Sequence, residues 1–236
     1  MVTLIGMGSG KWEALSEQAQ QAVRSAGLVF GAKRLLAGLP ADCTARQFAL
    51  YQPADILETL AQNPGQDAVV LYSGDTGFYS GASGLLTPLR ALGIPARVYP
   101  GVSSIQLLSA ALGRPWQDWK LVSAHGCACD PVAECMMNRS VFFLTGGTET
   151  PASLCQKLTD AGMGEAHGVV GENLGTEAET IRYGSAAELA GQSFAPLSVL
   201  LVENFDLPQL RAPGFPDESF IRSEVPMTKQ EVRDRK

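Results

Sequence analysis

The 236-residue chain has no apolar run near the roughly 18–20 residues that a membrane-spanning helix needs, so no bilayer crossing is expected. It also lacks a dense block of Lys and Arg. Eighteen basic residues stand against 24 acidic ones, for a formal net charge of −6. Nucleic acid is therefore not an expected partner, although an acidic total leaves room for a locally basic cleft. No basic leader precedes Val2-Thr3-Leu4-Ile5. That stretch reads as a fold element and not as a signal peptide, which makes the cytoplasm the default compartment. Cysteine is sparse: Cys43, Cys127, Cys129, Cys135 and Cys155. An odd count at this length does not suggest a disulfide scaffold. Cys127 and Cys129 form a C-x-C near Cys135, but the usual C-x-x-C spacing of a zinc site is missing. Reduced thiols and no metal are expected.

What the chain has is the composition of a folded α/β protein, 45% hydrophobic and 18% charged. Short apolar runs alternate with helical patterns. Val2–Ile5, Leu28–Phe30, Ala68–Tyr72 and Ala96–Tyr99 read as strands. Leu15–Ala26, Asp55–Gln62, Ser83–Leu92 and Ser103–Leu112 read as helices. The alternation implies a mostly parallel sheet covered on both faces. Gly113-Arg114-Pro115-Trp116 interrupts it, and it then restarts. Leu121–Ala124, Ser140–Leu144, Gly168–Gly171 and Ser198–Val202 read as strands, with helices over Pro151–Ala161 and Ser185–Ala190. Two α/β domains are expected, 1–114 and 115–205, with no sequence repeat between them. Residues 206–236 are rich in Pro and charge and read as a linker or tail.

Three glycine-bearing loops follow strands in the first half. Gly6-Met7-Gly8-Ser9-Gly10-Lys11 is the first. A dinucleotide fingerprint needs glycine at position 11, where Lys11 stands. A P-loop needs glycine at position 5 and Ser or Thr at 12, where Ile5 and Trp12 stand. The loop is then a ligand-approach loop of another kind or a tight strand–helix turn. The second, Ser73–Ala82, sets Gly74, Gly77 and Gly81 around Asp75 and Tyr79. Asp75 suits a ligand site, and it equally suits a cap or turn. The third is Pro100-Gly101-Val102-Ser103-Ser104, whose serines also suit a helix N-cap. All three sit where ligands bind open α/β sheets, beyond the carboxyl ends of strands.

Gly6–Gly10, Leu15-Ser16, Ser73–Tyr79 and Pro100–Ser104 together resemble the tetrapyrrole methylases. Members of that family usually carry G-x-G-P-G and Leu-Thr, then G-D-P, then P-G. The resemblance covers residues 2–204. Gly31-Ala32-Lys33-Arg34-Leu35-Leu36 and Ser123-Ala124-His125-Gly126 resemble one branch, the precorrin-6Y/cobalt-precorrin-7 C5-methyltransferases of cobalamin synthesis. Ser9 and Thr76 replace usual prolines, and Cys127 stands where Arg often follows His-Gly. Residues 215–233 resemble the start of the C15-methylating, decarboxylating partner, so an excised module or a truncated fusion is expected.

The resemblance implies two α/β domains with S-adenosylmethionine in the cleft between them, a precorrin or cobalt-precorrin substrate, and a homodimer. By position it implies cofactor contacts at Gly8, Ser9, Ser73, Gly74, Asp75, Phe78, Ser103, Ser104, Thr145 and Gly175. Asp75, Tyr79 and His125 are candidate proton-transfer groups; His125 equally suits a structural role. Lys33, Arg34 and Arg114 are candidate partners for substrate carboxylates, or solvated surface charges. The alternatives are a tetrapyrrole methylase of other specificity and a non-catalytic nucleotide-binding module.

Overall fold

The computed structural model describes residues 1–204; the expectations for the tail, 206–236, lie outside the described residues. The first half opens on β1 (Val2–Gly6), every residue of which is buried. It continues through α1 (Glu17–Ser25), β2 (Leu28–Phe30), α2 (Lys33–Leu36), β3 (Arg46–Phe48), α3 (Pro53–Ala61), β4 (Ala68–Tyr72), α4 (Ala82–Ala91) and β5 (Ala96–Tyr99). The expected helix over Leu15–Ala26 starts two residues later, because the Ala19 amide donates to Ser16 Oγ at 3.3 Å and makes Ser16 the N-cap. Trp12–Ala14 forms a separate 3-10 turn.

The first sheet has the order β3-β2-β4-β1-β5, and all its neighbours are parallel. Side chains alternate across it as a pleat requires. Ile5, Val29, Val69 and Leu71 pack on one face with Val23 of α1 and Leu35 of α2. Leu4, Phe30 and Val70 pack on the other with Ile56 of α3 and Leu85 and Leu89 of α4. From β1 the chain passes over β4 to reach β2; from β4 it passes over β1, the other way, to reach β5. The exits of these two central neighbours therefore diverge and leave a crevice at their carboxyl ends.

After α5 (Ser104–Leu112) the second half comprises β6 (Lys120–Ser123), α6 (Pro131–Met137), β7 (Ser140–Leu144), α7 (Pro151–Asp160), β8 (His167–Glu172), β9 (Thr180–Ser185), α8 (Ala186–Ala190) and β10 (Ser198–Glu203). Its sheet has the order β6-β7-β10-β8-β9. Only β6 and β7 pair in parallel; β10 is antiparallel to β7 and β8, and β9 is antiparallel to β8. The mostly parallel arrangement expected from the alternation thus holds for the first sheet and not for the second. The cause is β9, an edge strand reached from β8 by a loop instead of a crossover helix.

One face of the second sheet carries α6, α7 and α8, around Cys135, Cys155, Leu158 and Leu189. The other face, with Phe142, Val169, Val199 and Leu201, buries Ile105 and Leu108 of α5 together with Trp119. So α5 follows the first sheet in sequence but packs on the second. Burying each such Leu or Ile stabilises by about 1.5–3 kcal/mol, which makes this joint part of the core.

The cysteines divide by burial. Cys135 and Cys155 are fully buried, and burial pushes both thiols up to about 12. Cys127 is exposed. Alkylation of the folded protein near pH 8 is therefore expected to label Cys127 and to reach Cys135 and Cys155 only after denaturation. Peptide mapping that finds Cys135 or Cys155 modified in the native state would contradict this packing.

Candidate active site

The three glycine loops meet at the crevice. Gly8 and Gly74 exchange backbone hydrogen bonds, Gly8 N to Gly74 O at 3.1 Å and Gly74 N to Gly8 O at 2.9 Å. Both have left-handed φ, +56° and +64°, which glycine adopts without strain. The third loop closes against them. A Cβ on Gly101 would lie 2.3 Å from Gly74 O and 2.5 Å from Gly6 O, so only glycine fits. Asp75 ties the second loop to the third. Its Oδ2 accepts from the Gly77 amide at 2.8 Å and its Oδ1 from the Gly101 amide at 3.0 Å. The cap-or-turn reading of Asp75 and the ligand-site reading are both geometrically apt: the carboxylate pins two loops and also lines the cavity between the sheets.

That cavity holds about 340 Å³. The first half contributes Gly8, Ser9, Arg34, Ser73, Gly74, Asp75, Phe78 and Tyr79, then Ser103, Ser104 and Leu107 at the start of α5. The second half contributes His125, Leu144, Thr145, Asn173, Leu174, Thr176, Leu197 and Val199. Each position has a visible cause. Thr145 follows β7 and is held by donating to Ser198 O at 2.5 Å. Asn173 has φ +49° and donates its amide to Leu197 O at 2.8 Å. Buried Glu172, 4% exposed, accepts from the Ala195 amide at 2.7 Å and pairs with Arg182 Nε at 2.7 Å. These bonds fix the segment before β10 as the cavity's far wall.

Tyr79 spans the two halves. Its backbone sits at φ +47°, unusual for a residue with a side chain, and its hydroxyl donates to Leu121 O in β6 at 3.1 Å. Phe78 beside it stacks edge-on, 4.8 Å between centroids, and joins the core under α5. The second loop is thus anchored to both sheets. Tyr72, at the end of β4, has its phenol pushed up to about 12 by burial, so it stays protonated at neutral pH.

Nearly every residue that the sequence assigned to the cofactor lines this one cavity. The exception is Gly175, which stands behind it. A Cβ there would lie 3.1 Å from Ser9 Cβ, and its amide donates to Glu179 Oε2 at 2.7 Å. Its neighbours Asn173, Leu174 and Thr176 form the wall instead. Of the three cations expected to meet substrate, Arg34 lines the cavity, with one guanidinium nitrogen on Ser73 Oγ. Lys33 is exposed on α2 and outside the lining. Arg114 is corrected: it lies outside the lining, and its guanidinium is held by both carboxylate oxygens of buried Glu203, one at 2.9 Å. Sequence reasoning missed Asn173, Leu197 and Val199. The available signal was the Glu172–Thr176 loop after a strand and Pro196 just before the last strand.

Among the described residues no helix is long and apolar enough to cross a membrane, and no cluster of three or more His, Cys, Asp or Glu side chains could hold a metal ion. A crevice at divergent strand exits, roofed by a second α/β unit and lined by hydroxyls, backbone and apolar side chains, defines a two-layered ligand-binding α/β protein. Residues 1–190 match the model of the tetrapyrrole (corrin/porphyrin) methylases, and the chain belongs to that family. It is 33% identical over 185 residues to the cobalt-precorrin-7 C(5)-methyltransferase of Salmonella typhimurium, covering 78% of this chain and 90% of the relative. It is 29% identical to a decarboxylating precorrin-6Y C(5,15)-methyltransferase of Sinorhizobium sp, covering 98% of this chain and 57% of the relative. The chain thus spans little more than half of that bifunctional protein. The fold resembles the uroporphyrin-III C-methyltransferase of Thermus thermophilus in complex with S-adenyl homocysteine, with TM-score 0.68, 20% identity, and coverage of 86% and 97% of the two chains.

Proposed function

We propose that the chain is an S-adenosylmethionine-dependent C-methyltransferase that methylates C5 of a precorrin or cobalt-precorrin in cobalamin biosynthesis. One observation carries the reading: loops separated by most of the chain, from Gly8 to Thr145, converge as walls of a single cavity. The relatives' names supply the reaction class and ring position.

The residues present fit the cofactor. Leu107, Leu144, Leu197 and Val199 offer apolar walls for an adenosine, and Ser73, Ser103, Ser104 and Asn173 offer polar partners. The volume falls at the small end of the range for small-molecule sites, ~300–1,000 Å³. When bound, the cofactor supplies a methyl group already made electrophilic by its sulfonium sulfur. The chain's own contribution is position. Asp75, the Gly8–Gly74 bridge and the Tyr79 tie hold the walls, and holding two reactants aligned supplies a large share of a barrier reduction. Arg34 is the one guanidinium among the lining residues and is placed to grip a macrocycle carboxylate. The division into units 1–114 and 115–205 belongs to the same reading. It is supported by the end of α5 at Leu112 and the start of β6 at Lys120. A C15-methylating, decarboxylating partner, fused or separate, is supported by the alignment along 98% of the chain with the bifunctional relative.

The test is direct. Purified chain, S-adenosylmethionine and a precorrin lacking the C5 methyl should give a product heavier by one methyl group, placed at C5 by NMR. No mass gain would remove the assignment, and a methyl on another carbon would move it to a different branch. Thermal stabilisation by NAD or ATP, but not by S-adenosylmethionine, would favour a non-catalytic nucleotide-binding module.

A further inference from the structure

His125 sits two residues beyond β6, where the Ala124 amide still donates to Leu144 O at 2.9 Å and continues the ladder with β7. Its Nδ1 lies 3.2 Å from the Thr145 carbonyl oxygen. A carbonyl oxygen only accepts, so Nδ1 carries the proton, and in the neutral ring the lone pair is on Nε2. The ring is confined as well as bonded. A Cβ on Gly146 would fall 1.8 Å from Nδ1 and 2.5 Å from Cε1, so the ring occupies space that any other residue at 146 would fill. Two backbone features of the β7 exit therefore set both the place and the tautomer of this imidazole.

The other titratable groups around it are engaged. Asp75 accepts a backbone N–H on each oxygen, and the Tyr79 hydroxyl donates to Leu121 O. Arg34 is a cation without a lone pair to offer. On the histidine's own loop, Cys127 and Cys129 are thiols and Asp130 caps α6. On the facing loop, Glu149 is held by Lys157 at 2.6 Å. His125 is the lining side chain with an accepting nitrogen of a type that exchanges protons near neutrality.

We propose that His125 Nε2 accepts the proton that the macrocycle loses on methylation. This rests on the function proposed above. In that reaction the ring carbon contributes an electron pair to the new C–C bond. The C–S bond breaks with its pair staying on sulfur, and one proton must leave the macrocycle to restore its charge. His125 takes that proton on Nε2 and, being exposed at the rim, passes it to water.

The experiment compares the full chain with His125→Ala and Gly146→Ala, using S-adenosylmethionine and the C5-unmethylated precorrin. Single-turnover rates are read across the neutral pH range, and cofactor affinity by calorimetry. In His125→Ala the rate is expected to fall about 100-fold with cofactor affinity kept, to lose the rise with pH seen in the parent, and to recover on adding imidazole. Gly146→Ala, which displaces the ring without removing it, should share the loss of rate. A His125→Ala rate and pH profile equal to those of an active parent would overturn the inference and leave the function standing. A parent that binds the cofactor and transfers no methyl would overturn both.

Discussion

Gly101→Ala is expected to be the most damaging single methyl addition in the protein, costing about 3 kcal/mol or more of stability and abolishing detectable cofactor binding. The reason is local and geometric. The added carbon would sit 2.3 Å from Gly74 O, 2.5 Å from Gly6 O and 2.6 Å from Gly6 C. All three are backbone atoms, so no side-chain rotamer relieves the clash. Relief requires the first and second loops to retreat together. Those loops carry Gly8, Ser9 and Ser73, and displacement by about 1 Å is enough to lose some 100-fold in an aligned reaction. Gly84→Ala in α4 provides the contrast. Its Cβ would meet only Pro53 Cγ, at 3.7 Å, and the change should be neutral or stabilise by up to about 1 kcal/mol. Thermal unfolding and calorimetry on the two variants separate the cases. A Gly101→Ala protein that melts and binds like the parent would mean that the three loops do not share this junction.

The same junction shows what a sequence can and cannot reveal. The glycines, the strand before each loop and the helix after it were legible, because apolar runs and Gly punctuation are local signals. The distances among Gly6, Gly74 and Gly101 were not, since they depend on β1 lying between β4 and β5. Asp75 shows the limit clearly. Read locally it is a turn residue or a ligand residue, and only the fold brings the Gly101 amide, 26 positions away, onto its Oδ1.

The second half was harder to read for a physical reason. Thr180–Ser185 forms an edge strand in which Tyr183 is 67% exposed, so it shows no apolar run and was not anticipated. Without it the antiparallel return from β8 is invisible, and the pattern reads as continued strand–helix alternation. Helix α6 was missed although Asp130 and Pro131 form an N-cap and first-turn pair, because its seven residues are too few to display a period. Arg114 misled for the opposite reason. A basic residue in a Gly-Arg-Pro-Trp break suggests an exposed cation, but Glu203, 89 residues later, claims it. Pairings across such separations have no signature in a single sequence.

Asp75→Ala is expected to weaken both the fold and the cofactor site. It leaves the Gly77 and Gly101 amides without their acceptor, at about 1–3 kcal/mol each, and the Gly101 end costs more because it is more buried. The second loop then loses its tie to the third, and cofactor affinity should fall at least about 100-fold as the wall relaxes. Asp75→Asn refines the argument. An amide oxygen can still accept one N–H, but the amide nitrogen would face the other as donor against donor. If the carboxylate acts as a pin, the Asn variant should fall between parent and Ala variant in melting temperature, and affinity should follow the same order. A variant that melts like the parent and fails to bind would assign Asp75 a direct role on the ligand instead. A variant with unchanged melting and unchanged affinity would remove Asp75 from the site, and with it the claim that the second and third loops are held as one wall.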